Sequence, residues 1–96
     1  MLDEKKITSF PGLIHGLDTI DEDAGVRIVG RYKGKKCFVF VTRSPGGFTS
    51  ILCSMKRAGK ESIPDKRLLA KDFGSVQELG KFLSEVVPKP VVAFEY

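Results

Sequence analysis

The 96-residue chain has no tryptophan, one histidine (His15) and only two cysteines, Cys37 and Cys53. Two cysteines without Cys-x-x-Cys spacing make neither a zinc site nor a disulfide framework. They read as small buried hydrophobes in a reducing compartment, with an oxidisable cross-strand pair as the alternative. His15 falls on the polar side of a helical stretch with no nucleophile motif beside it, which makes it a surface residue. No GxSxG or GxGxxG occurs. Residues 25–32, GVRIVGRY, have the two glycines of a phosphate loop, but Arg31 and Tyr32 replace its Lys and Ser/Thr, and the stretch has strand character. The acidic run Asp21-Glu22-Asp23 lacks the spacing of a calcium loop. The chain is therefore expected to be non-enzymatic, with no cofactor and no metal.

Long apolar runs are missing too. None approaches the ~18 residues of a membrane span, and the opening MLDEKK has no apolar signal core. A soluble, cytoplasmic protein without a membrane partner is the expectation. At 96 residues, 42% hydrophobic and 29% charged, the chain fits a single domain over 1–96.

Charge is plentiful and unevenly placed. Residues 1–26 carry six acids against Lys5 and Lys6; residues 72–96 carry four acids against two bases. Between them, residues 27–71 hold twelve bases against only Glu61 and Asp65, a net of +10 within a chain of net +4. A middle segment this basic is the electrostatic footprint of a polyanion partner. The competing reading is internal, with the acidic N-terminal stretch lying against the basic sheet and cancelling its field.

Periodicity supplies the elements. Residues 5–10 form an edge strand or a lead-in, and 11–20 place Leu13, Ile14, Leu17 and Ile20 on one helical arc behind Pro11. Residues 26–33 alternate as a half-buried strand. Lys33-Gly34 makes a hairpin turn into residues 35–43, apolar on both faces as a central strand is. Ser44-Pro45-Gly46-Gly47 turns the chain into a third strand, 48–57. Residues 58–66 have loop chemistry, and 67–73 form a short strand. A helix over 75–87 starts with a Ser75/Glu78 capping box, and Gly80 on it allows close approach to the sheet. Residues 91–96 form the last strand. The predicted class is α+β: an antiparallel sheet built on a three-stranded meander, with two helices packed on one face. Its element order is that of a ferredoxin-like split βαβ or an α-β-β-β-α variant.

Two functions compete, and the turn at residues 44–47 divides them. The first is a nucleic-acid-binding module in which Arg27, Arg31, Lys33, Lys36 and Lys56 meet phosphate. Phe38 and Phe40 stack on bases only if the loop is odd in length, which leaves them on a basic platform. An even loop centred on Pro45-Gly46 backs the phenylalanines with Ile51, Cys53 and Met55 instead. That apolar face favours the second function, a protein-interaction or homodimerisation module. The stretch KGKKCFVFV has the Lys33-Gly34 start of the ribonucleoprotein consensus, but Lys35 and Cys37 stand at its aromatic positions, so it is no match.

Overall fold

Turn chemistry decides how the middle of the chain folds. The computed structural model describes residues 5–21, 24–89 and 91–95. Strand β1 (Lys5–Ile7) and helix α1 (Phe10–Thr19) come first. Four strands follow: β2 (Gly25–Tyr32), β3 (Lys35–Ser44), β4 (Gly47–Ala58) and β5 (Glu61–Phe73). Helix α2 (Val76–Val86) and strand β6 (Ala93–Glu95) end the chain. Lys33 and Gly34 both take positive φ, 51° and 80°, the pattern of the type I′ turn whose twist matches a hairpin. Gly46 has a φ of 84° behind Pro45, the type II pattern, so the β3–β4 loop has two residues and is even.

The result is an α+β domain with one six-stranded sheet, ordered β1-β6-β2-β3-β4-β5, in which every neighbouring pair is antiparallel. It exceeds the expected three-stranded meander. Neither expected element order is met as written, because the short strand read at 67–73 is a full fourth sheet strand between the helices. That strand is the main correction: residues 58–66 are not a loop, and 61–73 form one continuous strand of 13 residues. Its alternation is hidden by register shifts at Leu52/Cys53 and Cys53/Met55, and by Pro64. Proline is tolerated there because β5 is an edge strand, where a missing N–H costs no ladder bond.

Face assignment follows from the pairing, since directly opposed residues share a face. Val26 pairs with Val41 and Ile28 with Val39; Val39 in turn opposes Leu52. This face joins Leu13 and Leu17 of α1 and Leu79, Leu83 and Val86 of α2 in one buried cluster. Each fully buried Leu contributes about 1.5–3 kcal/mol relative to exposure. Ser9 caps α1 by accepting from the Gly12 N–H at 3.1 Å, and Ser75 caps α2 by accepting from the Glu78 N–H at 3.3 Å. Of the two bonds expected of the Ser75/Glu78 box, the structure has this one. Gly80 approaches α1 rather than the sheet: a Cβ there would lie 3.2 Å from Ile14 Cδ1.

The two cysteines do not face each other. Cys37 pairs with Ser54 and Cys53 with Phe38, so the thiols are one rung apart on opposite faces, and both are free. Burial, with a smaller contribution from Cys53, raises the Cys37 thiol above its ordinary 9.0. The folded state thus holds this proton more tightly than the unfolded chain. Stability should fall as pH climbs past 9.0 and level off above the folded value, and Cys37→Ala should flatten that slope. In the native protein a thiol reagent should label half-buried Cys53 first, and Cys37 only on unfolding. Equal labelling rates would contradict this placement.

Two substitutions probe the core in opposite senses. A Cβ on Gly30 would sit 2.8 Å from both Val39 Cγ2 and the Val86 carbonyl oxygen, so Gly30→Ala should cost about 1–3 kcal/mol. Ser50 is fully buried, and its hydroxyl has no hydrogen-bond partner among the described residues. Ser50→Ala removes that orphan and should raise stability by about 1 kcal/mol. Thermal denaturation followed by circular dichroism reads both, at roughly 4–8 °C per kcal/mol for a domain of this size.

Candidate nucleic-acid interface

The meander places its turns at alternate ends of the sheet, and charge follows the turns. The β2–β3 and β4–β5 turns lie at one end. The first brings Arg31, Lys33, Lys35 and Lys36; the second brings Lys56, Arg57, Lys60, Lys66 and Arg67. Only Glu61 and Asp65 oppose these nine cations within the two segments, and all nine are exposed. Between the hairpin ends lies a concavity of ≈ 940 Å³. Six basic residues line it (Lys33, Lys35, Lys36, Lys56, Arg57 and Lys66), with Asp65 the one acid among its described lining residues. Tyr32, Met55 and Leu68 supply its apolar wall.

Local structure positions these cations. Lys33 sits in the type I′ turn, with its Nζ 5.4 Å from the Tyr32 ring centre. Arg31 pairs with Lys36 across β2 and β3, a like-charge pair that destabilises unless an anion screens it. On β5, the Lys66 N–H donates to Ser54 Oγ at 3.0 Å, which pins the strand where the ladder is irregular and sets Lys66 beside the concavity.

Three acids, Asp18, Asp21 and Asp72, lie at the other end. Asp18, in the last turn of α1, and Asp21, just after it, lie toward the start of β2, where Arg43 Nη1 donates to the Asp18 carbonyl at 3.1 Å. Arg43 lies seven residues from Lys36 along β3, about 23 Å at strand rise. Asp72 is near the same end, its carboxylate accepting from Thr49 Oγ1 at 2.9 Å. Asp18 and Asp21 therefore do not cover the basic end. Asp3, Glu4, Glu22 and Asp23 lie outside the described residues.

The sequence-derived residues separate into two groups. Lys33, Lys36 and Lys56 meet at the concavity, with Arg31 adjoining through its pairing with Lys36. Arg27 stands apart toward β6, its guanidinium 5.0 Å from the Phe94 ring centre. The even loop puts Phe38 opposite Cys53 and Phe40 opposite Ile51, so the condition for a stacking platform is not met. Phe38 is only 6% exposed and packs on Phe40 with ring centroids 6.0 Å apart. A ring covered in this way cannot receive a base. Arg57, Lys60, Lys66 and Arg67 are not among the residues picked from the sequence, because a loop over 58–66 gives no hairpin to carry them; Lys35 adjoins the expected Lys33-Gly34 turn and was open to the same charge argument. The signal for the hairpin residues was the spacing of cations on either side of Gly59-Lys60.

No helix among the described residues is long and apolar enough to cross a membrane. Searches against protein-family models, curated proteins and solved structures return no match. Phe38→Ala should act on stability rather than on a ligand, costing about 3–5 kcal/mol in thermal or chemical unfolding. Native-like stability in that variant would mean the ring is exposed after all.

Proposed function

We propose that the protein is a small non-enzymatic module that binds nucleic acid, through the basic end of its sheet rather than through an aromatic platform. The observation that carries this reading is the gathering of nine exposed cations from two hairpins, six of them lining one concavity, with only Glu61 and Asp65 among them. Like charges so concentrated repel one another, and a polyphosphate relieves that repulsion while releasing its own counterions. Lys33, Lys36, Lys56 and Arg31 are the phosphate contacts retained from the sequence; Lys35, Arg57 and Lys66 join them. Arg27 extends the field along the open face.

The protein-interaction alternative depends on the sheet face away from the helices. The even register does place Val29, Phe40, Ile51 and Cys53 there. These side chains cover one another: each is partly buried, and Leu68, at 46% exposure, is the one exposed large hydrophobic among the described residues. A patch so well covered gives a second subunit little to bury.

Fluorescence anisotropy with labelled oligonucleotides at rising salt tests the proposal. With about six phosphate contacts, affinity should fall about a thousandfold between 50 and 200 mM salt. Lys36→Glu and Lys56→Glu should each weaken binding and lower the salt slope by about 0.9 or more, with unfolding temperature unchanged. No binding at micromolar protein in low salt overturns the proposal. A concentration-dependent dimer in light scattering, together with no nucleic-acid binding, would favour the alternative.

A further inference from the structure

Resting on that reading, we infer that the polyanion is B-form duplex DNA, and that the β4–β5 hairpin enters its major groove. The last rung between β3 and β4 is Cys37 with Ser54. Beyond it the β4–β5 ribbon continues without a third strand, through Met55–Pro64, Lys56–Ile63, Arg57–Ser62 and Ala58–Glu61. Four further residues of strand reach about 13 Å past the last shared rung. The major groove of B-form DNA is about 12 Å wide and 8.5 Å deep, and it admits a two-stranded ribbon. The reach therefore suffices to bring the tip to the base edges.

The tip is a tight turn of Gly59 and Lys60 closed by the Ala58–Glu61 rung; Gly59, at its first position, takes a φ of 65° with open space around it. The register shifts between Leu52 and Met55 lie at the ribbon's root. Such irregularities increase the right-handed twist of a strand pair, which lets the ribbon follow a groove. Lys56 and Arg57 lie on one strand of the ribbon and Lys60 in its turn; the other strand carries Glu61, and Lys66 and Arg67 stand at the root, where Arg67 opposes Cys53. The ribbon thus meets groove phosphates through its β4 strand and its turn, while Lys66 at its root and Lys33 and Lys36 on the neighbouring hairpin meet those at the groove's edge.

Two alternatives within nucleic acids fit less well. Single strands are held by stacking on open aromatic rings, and no aromatic side chain among the described residues is exposed. Duplex RNA presents a major groove too deep and narrow for protein side chains to read.

The test uses the full chain and one base sequence prepared as duplex DNA, single-stranded DNA and duplex RNA, with heparin as a non-nucleic polyanion. At equal salt, duplex DNA should bind at least about tenfold more tightly than the other two nucleic acids. Dimethyl sulfate should find guanine N7, which faces the major groove, protected in the complex. Replacing residues 57–62 by Asn-Gly shortens the ribbon while keeping Lys56, Lys66 and Arg67. It should abolish both the duplex preference and the N7 protection. The double substitution Arg57→Ala/Lys60→Ala, which removes charge but keeps the hairpin's length, should weaken all binding while preserving the preference. Circular dichroism verifies that each variant is folded. Equal binding of the three nucleic acids, or unprotected N7, overturns this inference and leaves the general reading standing. Binding of heparin alone, or of nothing, overturns both.

Discussion

The two-residue turn at Pro45-Gly46 holds β3 and β4 in a register whose effects spread across the molecule. Because side chains alternate along a strand, one added residue in this turn would move Leu52 out of the core and Ile51 into it. The observed register sets Leu52 against Val39, beneath both helices, and gives Phe38 and Phe40 the aliphatic neighbours that bury one and half-bury the other. Proline fixes φ at the first central position, and glycine accepts the positive φ of the second. A local torsional preference thereby decides which surface the sheet presents.

The same meander sorts the charges. Successive turns fall at opposite ends, so basic residues separated by 20 or more positions in sequence converge from two hairpins. Asp18 and Asp72 are carried to the far end by α1 and by the end of β5. Holding Arg31 beside Lys36 costs folding free energy that an acidic neighbour would have offset. A small domain keeps such an arrangement at the expense of stability, which the proposed polyanion would return. The buried, unpartnered hydroxyl of Ser50 is a smaller cost of the same sign, and no role for it is evident in the structure.

Much of the fold was legible along the chain. The alternation of Val26 and Ile28, the Lys33-Gly34 turn and the Ser75-capped helix each follow from nearest-neighbour chemistry, and the structure has all three. Strand β5 is legible only in its second half, residues 67–73. The polar residues before these, with Pro64, have the composition of a loop, and only an edge position beside β4 makes them a strand. The candidate site suffered in proportion: Lys33, Lys36 and Lys56 were picked out by charge, whereas Arg57, Lys60, Lys66 and Arg67 gained meaning only once the hairpin carried them.

The amino-acid sequence by itself determined the class of the fold, the concentration of positive charge in its middle and the absence of recognised catalytic motifs. These are properties of composition and short-range periodicity. The tertiary structure decided that the phenylalanines are covered and that the cysteines point to opposite faces. It also decided that cations far apart in the chain share one concavity. Those outcomes depend on register and on strand order, where a shift of one residue reverses every face and no local preference specifies the neighbours.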